Sequence, residues 1–92
     1  MRASVIRRRV IVSGRVQGVF FRDTVQRAAS ARGVAGSVTN RDDGKVEAVL
    51  EGEPDAVEAV IEVARTGPER AAVENVEIQE EEPEGLEGFR VT

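Results

Sequence analysis

The segment Gly14-Arg15-Val16-Gln17-Gly18-Val19-Phe20-Phe21-Arg22 holds most of the chemistry this chain offers. With no histidine and no cysteine, the chain lacks the usual general bases and thiol nucleophiles. Any chemistry it performs must be accounted for without them. Glycines at 14 and 18 permit positive φ and close backbone approach. Successive amides in that geometry can face one point as an anion-binding nest, and the amino end of a following helix adds partial positive charge. Arg22 falls at the start of that helix, where a cation is unfavourable unless an anion balances it. Its planar fork suits two phosphate oxygens. Taken singly, the same residues fit plainer roles: the glycines a strand-to-helix turn, Arg22 a surface charge, Phe20 and Phe21 core anchors. Neither the Gly-Lys-Ser/Thr ending of a Walker loop nor a G-x-G-x-x-G pattern is present. Asn40 is the other polar candidate, standing just before a turn, where asparagine also serves local hydrogen bonding.

Hydrophobic periodicity supplies the elements that must hold these groups. Residues 7–12 read as a strand, with Val10 and Val12 on one face, Ile11 on the other and Gly14 ending it. Phe21, Val25, Ala28 and Ala29 form a helical stripe over 21–32, with Gly33 in the position of a C′ residue. Two alternating runs then flank Arg41-Asp42-Asp43-Gly44, a strong hairpin signal, and Val46, Ala48 and Leu50 line one face of the second run. Pro54 suits a first helical position, and Val57, Val60, Ile61 and Ala64 give a second helix that stops at Thr66-Gly67-Pro68. A fourth strand is expected over 71–79, a solvated acidic loop over 80–85, and a short strand over 89–91. The order β-α-β-β-α-β with an appended strand predicts an α+β, ferredoxin-like sandwich: a four-stranded antiparallel sheet with both helices on one face.

Ninety-two residues suit a single domain spanning 1–92. The absence of cysteine excludes disulfides and thiolate metal sites, and without histidine a zinc site is not expected. The basic opening Met1–Val10 is followed by no uninterrupted apolar stretch and no small-residue cleavage site, so it is not read as a secretory signal. No run approaches membrane-spanning length, and a cytoplasmic protein without a membrane partner is expected. A formal charge of −4 argues against nucleic acid, and residues 45–52 carry none of the aromatic platform of an RNA-recognition domain. The apolar faces can be satisfied within a monomer.

Residues 14–22, followed by the run from Ala28 to Gly52 with its Gly-x-Val-x-Asn spacing at 36–40, resemble the acylphosphatases. The stretch 66–78 and the closing Phe89-Arg90-Val91 match that family's second half, so the resemblance covers about residues 7–92. It implies an enzyme that hydrolyses acyl phosphates to a carboxylate and inorganic phosphate on this fold, with no cofactor and no metal. The family's catalytic arginine falls on Arg22 and its catalytic asparagine on Asn40. Its phosphate-binding loop falls on Gly14, Arg15, Val16, Gln17, Gly18, Val19 and Phe20. Two positions depart from the family pattern, Ser37 where tryptophan is common and Thr39 where arginine is, and the second helix lacks the aromatic residues frequent in relatives.

A chain without histidine suffices for that reaction. The leaving carboxylate has a conjugate acid of pKa near ~4, so its departure needs no general acid at neutral pH. What remains is to hold the phosphoryl group, stabilise its charge and align a water. Arginine and amides serve the first two, and a carboxamide can orient water without competing as a nucleophile. The water's proton is then expected to move late, onto the phosphate. Arg15 and Arg41 are expected to be surface charges that help attract anions. The competing reading is a non-catalytic anion-binding module built on the same cradle.

Overall fold

The computed structural model describes residues 4–92; Met1, Arg2 and Ala3, which begin the basic opening segment, lie outside the described residues. The elements are β1 (Ile6–Arg15), α1 (Phe21–Ala31), β2 (Ala35–Asn40), β3 (Val46–Gly52), α2 (Pro54–Thr66), β4 (Ala72–Glu81) and β5 (Phe89–Val91). The sheet order is β4-β1-β3-β2-β5. Its first four strands pair antiparallel, and β5 adds to β2 in parallel. The expected split β-α-β sandwich is therefore present, with the short last strand making its sheet mixed.

Alternation along the strands builds the core. Val10 and Val12 of β1, Val38 of β2, and Val46, Ala48 and Leu50 of β3 pack in one buried cluster with Phe21, Val25 and Ala29 of α1 and Val57, Val60 and Ile61 of α2. Each large aliphatic side chain so buried contributes about 1.5–3 kcal/mol. Pro54 opens α2, and Gly67, at φ 71°, closes it with its N–H donated to Val63 O at 2.8 Å.

Two sequence expectations need correction. β1 does not end at Gly14 but runs to Arg15, with a shift in its pairing to β4 between Ser13 and Gly14. Gly14 sits there at φ 121°, and a Cβ would lie 2.2 Å from Ala72 O, so glycine is required by the neighbouring strand. The acidic run 80–85 is likewise more than a solvated loop. Glu80 and Glu81 belong to β4, and Glu81 accepts from Arg7 Nε at 2.8 Å and Arg9 Nε at 2.6 Å on the face turned away from the helices. A count of charges in the sequence cannot show that β1 lays two arginines beside this carboxylate.

The same face carries a buried anion. Glu51 is 4% exposed and accepts from the main-chain N–H groups of Glu84, Gly85 and Leu86 at 2.9, 2.7 and 2.9 Å, with Arg7 Nη1 at 3.4 Å. Burial pushes its carboxyl up, but the three amides and the guanidinium outweigh that and hold it below the usual carboxylate range. A depressed folded pKa contributes stability that is present above the unfolded value, near ~4.3, and is lost as pH falls through the folded one. Glu51→Gln, which cannot accept from three amides with full charge, is expected to lower unfolding free energy by about 3 kcal/mol at pH 7. The deficit relative to the unmodified protein should shrink as pH falls below about 4.3, measured by urea titration; a deficit constant with pH would refute this role for the charge.

Candidate active site

The site grows out of the junction between β1 and α1. After Arg15 the chain bends through Val16–Phe20 before α1 begins at Phe21. Val16 and Val19 turn inward and are buried, pinning the bend to the core. Phe21 is also buried, at 2%, but Phe20 is 77% exposed. The expectation of two aromatic core anchors thus holds for Phe21 and fails for Phe20. Phe20 is the N-cap of α1 in a left-handed conformation, outside the helical stripe that carries Phe21 into the core.

Backbone handedness alternates through the bend. Gly18 has φ 74° and Phe20 φ 66°, whereas Gln17 and Val19 are not among the positive-φ residues. Phe20 is the one non-glycine residue with positive φ among those described, a conformation costing on the order of 1 kcal/mol or more that persists only where the surroundings impose it. Its carbonyl accepts the first hydrogen bonds of α1, from the Thr24 N–H at 3.1 Å and Thr24 Oγ at 3.0 Å. Alternating handedness is the geometry that turns consecutive N–H groups toward one side as a nest. Among the described residues, no main-chain N–H from Val16 to Phe20 donates to a protein acceptor outside the strand ladders. No side chain caps the amino end of α1, so its first amides add to the same unpaired set.

Gln17 ties this bend to the β2–β3 hairpin. Its Nε2 donates to Arg41 O at 2.8 Å and to Lys45 O at 2.9 Å, the two carbonyls at either side of the turn. One side chain therefore clasps the amide-rich bend to the hairpin that follows β2. No motif in the sequence indicated this link, since glutamine in a loop has many plainer uses.

Asn40 is positioned by register. It pairs with Val46, which pairs with Val12, and strand alternation puts it on the helix-covered face with Val38. Where that row passes beyond the core, Asn40 and Arg22 line one cavity of about 370 Å³ together with Val16, Gly18, Phe20, Phe21, Asp23 and Val91. Ser37 and Thr39 alternate onto the opposite face, away from this cavity. Arg22 is steadied by the residue that follows β5: its Nη1 donates to Thr92 O at 2.9 Å, while Thr92 N donates to Val38 O at 3.0 Å. That parallel pairing brings the chain back beside Arg22, a contact linking positions 22 and 92 that spacing could not reveal.

The flanking charges are arranged differently. Arg41 is held by Asp43 at 2.8 Å and Glu47 at 3.3 Å, so its charge is compensated locally, whereas Arg15 is exposed at the end of β1. Asp23, on the cavity wall, is paired with Arg27 at 3.0 Å. Among the described residues, no group of three or more His, Asp or Glu side chains is placed to hold a metal ion, and no helix is long and apolar enough to cross a membrane.

Fold and site together define a split β-α-β protein with an amide-rich bend and an arginine facing one cavity. The acylphosphatase family model matches residues 8–91. An acylphosphatase of Haloarcula marismortui is 56% identical over 86 residues, spanning 92% of this chain and 93% of that one. One of Thermococcus kodakarensis is 54% identical, spanning 94% of each. The crystal structure of the Bacillus subtilis acylphosphatase superposes with a TM-score of 0.91 at 40% identity, covering 95% of this chain and 98% of that one. The chain belongs to the acylphosphatase family.

Proposed function

We propose that this protein hydrolyses acyl phosphates, with the phosphoryl group seated against Arg22 in the 14–20 segment, at the bend Val16–Phe20 that follows β1. The observation that carries this reading is the alternating-handed stretch Gln17–Phe20 with its unpaired N–H groups, opening into the cavity that Arg22 and Asn40 share. A dianionic head satisfies those amides, balances the guanidinium at the amino end of α1 and accepts from its fork. Asn40 accepts from, or donates to, a water and aims its oxygen at phosphorus. A bond forms between that oxygen and phosphorus while the bond from phosphorus to the acyl oxygen breaks. The electron pair leaves on the carboxylate, and the water's proton passes to a phosphoryl oxygen. No step needs a side chain that titrates near neutrality, in keeping with a chain that has no histidine. The amides and arginine act by preorganised charge where the phosphoryl oxygens reorganise.

Turnover of benzoyl phosphate by the purified protein is the direct test. Hydrolysis should proceed undiminished in a chelator, and inorganic phosphate should inhibit competitively because it fills the same seat. Phosphate binding without turnover would replace this reading with a non-catalytic anion-binding module, and a strict requirement for a divalent ion would overturn the metal-free route.

A further inference from the structure

The proposed phosphoryl seat leaves the acyl half of the substrate without an assigned partner. Five large apolar side chains are exposed among the described residues, and two of them, Phe20 at 77% and Val91 at 43%, stand on the wall of the cavity shared by Arg22 and Asn40. They arrive there from distant parts of the chain, one from the bend before α1 and one from β5. An exposed phenylalanine forgoes the burial that its neighbour Phe21 obtains, and Phe20 does so in a left-handed conformation while its carbonyl accepts two hydrogen bonds from Thr24. Neither feature helps the fold, and strained, over-determined residues cluster where a ligand is met.

We infer that Phe20 and Val91 form an apolar acyl subsite that favours acyl phosphates with a flat or bulky apolar acyl group over small ones. This rests on the hydrolytic reading above and adds the substrate class. With the phosphoryl head at the bend and Arg22, an acyl group leaving the cavity passes the two exposed apolar walls. A ring against Phe20 removes apolar surface of both partners from water and gains an aromatic contact, whereas an acetyl group offers little area to either wall. The cavity's volume of about 370 Å³ falls at the lower end of small-ligand pockets, enough for a phosphoryl head and one ring. Of the two charged residues on the walls, Asp23 is paired with Arg27 and Arg22 is assigned to the phosphoryl head, which leaves no charged partner for the acyl group.

The test compares kcat/KM for benzoyl phosphate and acetyl phosphate in the unmodified protein, Phe20→Ala and Phe20→Tyr. The ratio of benzoyl to acetyl should fall about tenfold in Phe20→Ala, mainly through KM for benzoyl phosphate, and return in Phe20→Tyr. Val91→Ser should lower the same ratio in the same direction by a smaller factor. Phe20 packs little against the core, so thermal unfolding of Phe20→Ala is expected near that of the unmodified protein. A ratio unchanged in Phe20→Ala, with both substrates still turned over, would overturn the subsite and leave the hydrolytic reading standing. No turnover of either substrate by the unmodified protein would overturn both.

Discussion

Arg22→Ala is expected to lower kcat/KM for benzoyl phosphate by about 10³-fold or more, and to weaken competitive inhibition by inorganic phosphate in parallel. The two effects travel together because one guanidinium serves ground state and transition state alike. It donates to phosphoryl oxygens already present in the bound substrate, and those oxygens hold the charge that shifts as the bond to the acyl oxygen breaks. Its geometry is prepared before substrate arrives, since Nη1 is held by Thr92 O at 2.9 Å. Arg22→Lys keeps the charge but loses the planar fork, and should recover only part of the phosphate affinity. Steady-state kinetics with phosphate as inhibitor decide the matter. Near-normal turnover in Arg22→Ala would remove the arginine from the reaction.

Asn40→Ala should behave differently. A fall in kcat of about 10²- to 10³-fold is expected with the inhibition constant of phosphate nearly unchanged, because the carboxamide is assigned to water and not to the phosphoryl head. The fold should survive: Asn40 closes β2, where its main chain pairs with Val46 whatever the side chain. Asn40→Asp, of equal size, places a negative charge beside the seat of a dianion and should also raise the phosphate inhibition constant. Equal losses of kcat and phosphate affinity in Asn40→Ala would reassign the residue to phosphate binding. Unchanged kcat would exclude it from orienting the nucleophile.

The contrast between Arg22 and Asn40 also explains what a reader of the sequence could see. Both candidates, the glycine-flanked bend and the β-α-β-β-α-β order follow from local pattern, because helix and strand periodicity and turn residues act over a few positions. The resemblance to the acylphosphatases likewise lies in short stretches of contiguous sequence. The family assignment and the fold agree with it. Local pattern misled where a residue's environment is made by distant strands. Gly14 looked like the end of a strand and proved to be a close approach to Ala72. Glu81 looked like one of several solvated carboxylates and proved to be the partner of Arg7 and Arg9 on the neighbouring strand β1.

What this sequence determined by itself was the set of elements, the buried faces of β1, β3 and both helices, and the identity of the polar groups available for chemistry. All of these depend on spacings within one element or one turn. Only the tertiary structure decided which of two adjacent phenylalanines is buried, that Gln17 clasps the hairpin, that β5 returns in parallel to steady Arg22, and that Glu51 gathers three amides from the last crossover. Those features join positions 24 to 70 residues apart. Sequence spacing encodes no direction across such a gap, and the sheet's register supplies it.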